Sequence, residues 1–183
     1  MNKPKIKRVD NGKNKSKTYA ELISKYNNAI ENGFYGEAEL IVYAYLEDRL
    51  RAFIYYSDLI SSFNCNAINE NAVELYGEPL DIKNITGKIK LIRKALNVHQ
   101  LDTQDMSPLE KDLNKCYSTV LKVGEMKKYL DKIDKWCGYR NEIVHALFNK
   151  DLNDLRQHYK EHVEKGFDLA RYIDNQVVAL KRA

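Results

Sequence analysis

The sequence predicts an all-α fold, an antiparallel helical bundle, and three observations indicate this class. Apolar residues recur at helical spacing through most of the chain, and no stretch keeps the strict alternation of a half-buried strand. Only eight glycines and three prolines occur in the 183 residues, so few positions break a helix. The length suits one domain with a buried core, and no internal repeat is visible.

The start of the chain is strongly basic, and we expect residues 1–17 to be a flexible tail before a single domain over 18–183. Residues 1–18 hold seven Lys/Arg against one Asp, a balance of +6, whereas the rest of the chain has a balance of −2. The tail is either a solvated, disordered segment or an arm that attracts nucleic acid without sequence preference. Its cations are Lys3, Lys5, Lys7, Arg8, Lys13, Lys15 and Lys17.

The first two helices are placed by capping signals and by apolar periodicity. Thr18 and Glu21 form a capping box, which predicts a first helix that ends near Gly33, a residue suited to a helix C-terminus. A second helix is expected from about Gly36 to about Phe63, where apolar residues are dense.

The later elements are placed in the same way. Ser107, Pro108 and Glu110 combine an N-cap, a proline in the first turn and a capping box, which predicts a helix start. A polar connection over 64–81, with room for a short helix before Gly77, is followed by a helix over about Thr86–Val98 and a loop over 99–106. A helical stretch then runs from Ser107 to Phe148, with possible breaks near 117–119 and at Gly138. The last helix, capped by Asp151, runs from about Leu152 almost to Leu180.

The second helix is apolar on most of its circumference. On a wheel of about 100° per residue, one apolar stripe contains Val42, Leu46, Leu50, Phe53 and Ile60, and another contains Ile41, Ala52, Tyr55 and Leu59, with Asp48 inside it. A helix that is apolar on most sides is buried on most sides. We therefore expect this helix at the centre of the bundle, or covered on its second stripe by another subunit.

The cysteines and the hydropathy predict a cytoplasmic protein without a membrane segment. Cys65, Cys116 and Cys137 are odd in number and contain no C-x-x-C pair, which is typical of thiols in a reducing compartment. The N-terminus lacks the apolar region of a signal peptide. No apolar run approaches the roughly 18–20 residues that cross a bilayer.

The stretch WCGYRNEIVHALF, residues 136–148, has a helical pattern but a permanent cation on its apolar side. Asn141 and His145 are four residues apart, so they are neighbours at the edge of this side. Arginine keeps its charge, and on an apolar arc it needs a carboxylate partner or an anionic ligand. Arg140 shares its arc with Ile143, Val144, Leu147 and Phe148.

The helical wheel leaves two interpretations of Arg140 open. The helix edge is either the rim of a cleft that takes an anion, or Arg140 forms an internal ion pair with a core acid such as Asp48 or Glu47.

The segment RNEIVHALF resembles the R-x4-H motif, in its R-N-x3-H form, of the HEPN superfamily (higher eukaryotes and prokaryotes nucleotide-binding domain). The matching residues are Arg140, Asn141 and His145. Members of that superfamily are small helical bundles in which the motif lies on a late helix and a further helix follows. The predicted last helix, from about Leu152, agrees with this order.

The resemblance implies a metal-independent endoribonuclease that needs no cofactor. The ribose 2′-hydroxyl would attack the adjacent phosphate, and His145 would act as general acid or base near neutral pH. Arg140 would stabilise charge on the phosphate oxygens, and Asn141 would orient His145 or the phosphate. RNA would be cut to 2′,3′-cyclic phosphate and 5′-hydroxyl ends, and DNA would survive.

The resemblance also implies an assembly and a biological setting. Many members pair through their motif helices, so that one composite cleft holds two Arg and two His. A homodimer is therefore expected here, with a role as a toxin or a phage-defence effector and a possible antitoxin or inhibitor partner. Members that are modified by a neighbouring nucleotidyltransferase have Tyr two residues after the His. This chain has Leu147 there, although Tyr139 and Tyr159 lie nearby in sequence.

Two other functional classes remain as alternatives. A noncatalytic module of the same fold would bind RNA, a nucleotide or a protein partner, and a structural protein would use Arg140 only as an internal ion pair. The segment HYKEH, His158 to His162, has the spacing of the inverted zinc proteases, with Glu161 as a potential base. Only 21 residues follow His162, too few for the distant carboxylate ligand of those enzymes. We therefore interpret HYKEH as a solvated helix face without a metal.

Overall fold

A computed structural model describes residues 12–57, 72–75, 78–81, 84–98, 123–146 and 152–182. Its elements are α1 (Gly12–Glu31), α2 (Tyr35–Tyr56), β1 (Ala72–Leu75), β2 (Glu78–Asp81), α3 (Ile85–Val98), α4 (Val123–Ala146) and α5 (Leu152–Leu180). Helices dominate, so the predicted all-α class is confirmed. One hydrophobic core draws buried side chains from all five of these helices.

The sequence allows two positions for α2, the centre of the bundle or one covered by another subunit, and among the described helices it lies at the centre. Along its buried stripe, Val42, Leu46, Leu50 and Phe53 have no exposed surface, and the helix packs mainly against α5 and also against α1 and α3. The second stripe is less deeply placed, since its member Tyr55 is 60% exposed. The helix ends at Tyr56, and the predicted extension beyond residue 57 lies outside the described residues.

The start of α1 differs from the prediction. The helix begins at Gly12, so Thr18 is an interior residue rather than an N-cap, and residues 12–17 are helical rather than part of a flexible tail. Tertiary and local ion pairs explain the earlier start, because Lys15 Nζ lies 3.6 Å from Asp48 Oδ1 on α2 and Lys17 Nζ lies 3.9 Å from Glu21 Oε1. The remaining predicted tail, residues 1–11, lies outside the described residues.

The end of α1 is a Schellman motif, as the position of Gly33 predicts. Gly33 has a positive φ of 74°, its N–H donates to Ile30 O at 3.2 Å, and the Phe34 N–H donates to Ala29 O at 2.8 Å. These two bonds satisfy carbonyls that the helix end would leave unpaired.

We expect Gly33→Ala to destabilise the protein by about 1–2 kcal/mol, because a β-carbon in the left-handed conformation meets the following carbonyl oxygen. Gly36→Ala is the matched control. A β-carbon at Gly36 would lie 3.7 Å from Tyr159 Oη, an ordinary contact. Urea unfolding measures both changes, and an equal effect of the two would contradict this account of the turn.

A small β-hairpin occupies part of the predicted polar connection. β1 and β2 pair antiparallel, with Ala72 opposite Asp81 and Leu75 opposite Glu78, so the short helix allowed before Gly77 is wrong. Only Tyr76 and Gly77 separate the strands in the sequence, and a two-residue connection with a glycine is typical of a tight hairpin.

The later helices agree closely with the prediction. α3 starts one residue before the predicted Thr86 and ends at Val98, and α5 has the predicted limits. The possible break at Gly138 does not occur, since α4 continues through it. The predicted loop 99–106 and the helix start at Ser107 lie outside the described residues. Among the described helices, none combines the length and the apolar content that a membrane span requires.

Arg49 organises a buried polar network between α1, α2 and α5. Its side chain is 7% exposed, its Nη1 donates to Asp174 Oδ1 at 2.9 Å, and its Nη2 donates to Asp48 and to Tyr19 Oη. Tyr45 Oη donates to Asp174 Oδ2 at 3.0 Å. Burial by itself raises the pKa of Asp48, but hydrogen bonds from Arg49 and Tyr19 outweigh this effect and hold that pKa below its ordinary value.

Cys137 fits the prediction of a thiol that packs as a small core residue. It is partly buried against the core, and burial raises its pKa to about 12. A thiol with this pKa is protonated at neutral pH and is a poor nucleophile. Cys65 and Cys116 lie outside the described residues.

Candidate functional site

The three motif residues lie in the last two turns of α4. Arg140 and Asn141 are successive residues, and Asn141 is exposed. His145 follows one turn after Asn141, and its backbone is helical, while its side chain is not among the described groups. The predicted helical setting of the motif is therefore confirmed.

Arg140 crosses from α4 to α2, where it contacts a carboxylate and an aromatic ring. Its Nε lies 3.8 Å from Glu39 Oε2, and its Cζ lies 4.7 Å from the centroid of the Tyr43 ring. The side chain keeps 25% of its surface exposed. One side of the Arg140 guanidinium thus faces Glu39 and Tyr43, and a quarter of the side chain is accessible to solvent.

Glu39 is the buried centre of the site. Its side chain is 3% exposed, and it receives groups from α5 as well as from α4. Tyr159 Oη donates to Glu39 Oε2 at 2.8 Å, and His162 Nε2 lies 3.4 Å from Glu39 Oε1. We call Glu39, Arg140, Tyr159 and His162 the Glu39 cluster.

Charge and hydrogen bonding in the Glu39 cluster are only partly satisfied. A buried carboxylate is expensive unless a cation and hydrogen-bond donors accompany it, and Arg140 and Tyr159 supply these. Burial, followed by the hydrogen bond to Glu39, raises the pKa of Tyr159, so its hydroxyl remains a donor. Within the described part of the chain, Glu39 Oε1, Arg140 Nε and His162 Nε2 are buried without a hydrogen-bond partner. Such groups are costly in a protein interior, and here they face one another, with His162 Nε2 3.4 Å from Glu39 Oε1.

An aromatic stack borders the cluster between α4 and α5. The rings of Trp136 and His162 are nearly parallel, at 7°, with centroids 5.0 Å apart. Trp136 Nε1 donates to the backbone oxygen of His162 at 2.9 Å, and the ring of Tyr139 lies 5.2 Å from that of His162. These contacts fix α4 against α5 one turn before Arg140.

The sequence interpretation of HYKEH as a solvated face is wrong for two of its residues, since Tyr159 is buried in the Glu39 cluster and His162 is buried as well. His158 is exposed, as a solvated face requires, but His162 is only 4% exposed and packs on Trp136. Among the described residues, no group of three or more His, Cys, Asp or Glu is arranged to hold a metal ion.

Glu47 and Asp48, the two acids named as possible partners of Arg140, have other partners. Glu47 Oε1 lies 3.0 Å from Nζ of the buried Lys88 on α3, and Asp48 belongs to the Arg49 network. The interpretation in which Arg140 pairs with a core acid named Asp48 or Glu47 as examples, whereas the acid beside Arg140 is Glu39. Tyr139, the tyrosine that directly precedes the motif, is 43% exposed, and its ring lies beside that of His162 in the cluster.

Sequence reasoning missed Glu39 and His162, and in both cases a helical wheel contains the signal. Glu39 precedes Val42 and Leu46 by three and seven residues, so it lies on the buried stripe of α2. His162 follows Tyr159 by three residues and precedes Ala170 and Ile173 at core spacing on α5. A charged or titratable residue on such a stripe needs a buried partner, as Arg140 does.

No protein-family model, curated protein sequence or solved structure matches this chain. The resemblance to the HEPN superfamily therefore rests on the motif and on its helical setting.

Proposed function

We propose that this protein is a metal-independent endoribonuclease of the HEPN type, with Arg140 and His145 as catalytic residues and Asn141 as their neighbour at the site. The observation that carries the proposal is the state of Arg140. Its Nε faces a buried carboxylate at 3.8 Å and its Cζ lies over an aromatic ring, while a quarter of the side chain stays exposed. A guanidinium held in this way is preorganised to bind a phosphate from solvent.

The proposed reaction requires one base, one acid and one fixed cation. The base removes the proton of the ribose 2′-hydroxyl, the 2′-oxygen attacks the adjacent phosphorus, and the bond to the 5′-oxygen breaks. The acid then protonates the leaving 5′-oxygen, which gives 2′,3′-cyclic phosphate and 5′-hydroxyl ends. His145 performs the proton transfers, and Arg140 stabilises the charge on the nonbridging oxygens.

The proposal includes a homodimer in which two motif helices form one cleft and so supply a second imidazole. Asn141 and Glu142, which directly follow Arg140 on α4, are exposed, so this turn of the helix has surface for a second copy. A role as a toxin or a phage-defence effector, with an antitoxin or inhibitor partner, is proposed by family analogy alone.

A noncatalytic module that binds RNA, a nucleotide or a protein is the second candidate. The intramolecular pair between Arg140 and Glu39 favours it, because this pair compensates the charge of Arg140 without any ligand.

Cleavage of RNA in EDTA by the full-length protein tests the proposal. We expect cyclic phosphate ends, intact DNA, and a loss of about 10²–10⁴-fold in rate for His145→Ala, because general acid–base catalysis is removed. His158→Ala is the matched control, since His158 is an exposed histidine on α5. Absence of cleavage by the wild-type protein, or cleavage that His145→Ala leaves unchanged, would reject the nuclease assignment.

Glu39 is expected to act as a positioning residue for Arg140. We predict that Glu39→Gln lowers the cleavage rate by about tenfold or more, because the amide keeps the volume but loses the charge that orients the guanidinium. Glu37→Gln, at an exposed position on the same helix, should have no effect. Rates are compared well below the melting temperature of each variant. A Glu39→Gln protein that is folded and fully active would show that Arg140 is positioned in another way.

A further inference from the structure

A groove of about 470 Å³ lies between α4 and α5, on the side of the aromatic stack. Its size is within the range of about 300–1,000 Å³ that small-ligand sites occupy. Helical spacing places Tyr129, Lys132, Trp136 and Tyr139 on the same face of α4, and Lys165 faces them from α5. We call this feature the lysine–aromatic groove.

The lysine–aromatic groove carries uncompensated positive charge. Lys132, Lys135 and Lys165 line it against the single carboxylate of Asp168. Among the described residues, no carboxylate lies within 4.0 Å of these three ammonium groups, whereas Lys88 and Lys160 each have a glutamate partner within that distance. Such a concentration of cations attracts an anionic ligand.

The same groove offers aromatic surface. The Tyr139 ring is 43% exposed, and Trp136, stacked on His162, forms part of the wall. Tyr129 is held flat against Tyr172, with centroids 3.4 Å apart, and Lys132 Nζ lies 4.6 Å from the centroid of the Tyr129 ring. Ordered aromatic rings beside lysines match a ligand that has both flat rings and negative charge, and nucleobases with their phosphates have both.

We propose that the lysine–aromatic groove binds a nucleotide unit of single-stranded RNA next to the Glu39 cluster. A base stacks on Tyr139, and the lysines bind the neighbouring phosphates. His162 belongs both to the groove wall and to the Glu39 cluster, and Tyr139 directly precedes Arg140. Arg140 does not line the groove, so the shared residue His162 is what connects an RNA strand bound there to the Glu39 cluster. The choice of RNA as the ligand rests on the proposed function, but binding to the groove does not require cleavage.

Fluorescence anisotropy of a labelled single-stranded oligoribonucleotide tests this assignment with full-length His145→Ala protein. We expect the double variant Lys135→Glu/Lys165→Glu to weaken binding by about tenfold or more and to reduce its salt dependence, because phosphate contacts are lost. The control Lys25→Glu/Lys128→Glu changes the net charge equally at exposed positions outside the groove and should have little effect. Absence of binding, or equal weakening by the two double variants, would overturn the assignment.

Two further measurements locate the ligand. Trp136 is the one tryptophan of the chain, so quenching of intrinsic fluorescence by the RNA reports directly on the groove wall. Tyr139→Ala, a surface change that leaves the core intact, should weaken binding by about tenfold through lost stacking. Full affinity in that variant would contradict a stacked base.

Competition by AMP distinguishes an RNA strand from a free nucleotide as the ligand. AMP should compete only weakly with the oligoribonucleotide, and AMP that binds as tightly would replace the RNA assignment with a free-nucleotide site.

The outcomes separate the two proposals. RNA that binds through the groove lysines but is never cut by the wild-type protein would reject the nuclease and keep the groove. RNA that is cut through His145, with a KM that the Lys135→Glu/Lys165→Glu variant leaves unchanged, would reject the groove and keep the nuclease.

Discussion

Arg49→Ala is expected to destabilise the protein by about 3–5 kcal/mol, the usual effect of removing one partner from a buried charge network. The side chain of Arg49 is 7% exposed and donates to two carboxylates, Asp48 and Asp174, on different helices. Without it these acids, which are 35% and 31% exposed, keep their charges in a partly buried site, and Tyr19 loses a donor. The free energy of unfolding in urea measures the effect.

Arg51→Ala is the matched control on the same helix. Arg51 is 61% exposed and has one helical partner, Glu47, at 3.5 Å, and an exposed pair of this kind contributes about 0.3–0.5 kcal/mol. Similar losses for the two variants would show that the Arg49 network is not coupled to folding.

The same network gives the stability a dependence on acid pH. Asp48 has a folded-state pKa below its ordinary value of 3.8. Its contribution is therefore present above the unfolded-state pKa and is lost as the pH falls through the folded-state pKa. Arg49→Ala removes the largest hydrogen-bonding cause of that lowered pKa, so this part of the acid dependence should shrink.

Gly166→Ala is expected to destabilise the protein by about 1–3 kcal/mol through overpacking. A β-carbon at this position would lie 2.5 Å from Trp136 Cε2 and 2.6 Å from Cζ2 and Nε1. The ring cannot move away easily, because it stacks on His162 and donates to a backbone oxygen of α5. The expected loss is a net value, because alanine gains about 1 kcal/mol over glycine inside a helix and the steric cost exceeds this gain.

Gly138→Ala provides the control in the facing helix. Within the described structure a β-carbon there meets no atom within 4 Å, so only the helix-propensity gain of about 1 kcal/mol remains. Thermal melts of the two variants should shift in opposite directions. A stabilised Gly166→Ala protein would mean that α4 and α5 are farther apart than described.

Features with a local cause were predictable from the sequence. Capping and apolar periodicity gave α3 and α5 nearly their observed limits, and Gly33 marked the end of α1 through its left-handed conformation. The position of Arg140 on an apolar arc likewise indicated a cation in need of a partner.

Features that depend on distant contacts were not predictable in the same way. The early start of α1 involves an ion pair between Lys15 and Asp48, and Arg49 meets Asp174 across 125 residues. Glu39 becomes the partner of Arg140 only because α2, α4 and α5 converge there. The wheel of α2 places Glu39 on the buried stripe and so marks it as an acid that needs a partner, but which cation reaches it depends on the packing.

The ring of Trp136 determines how α4 is turned about its own axis. It fills the space above Gly166 and is tied to the backbone of α5, so a shift of α4 by a single residue would rotate this ring away by roughly 100°. Arg140 lies one turn further along the same helix, so the same rotation would turn its side chain away from Glu39. The direction of the guanidinium thus depends on how Trp136 packs over Gly166, and substitutions at position 136 or 166 should shift Arg140 relative to Glu39.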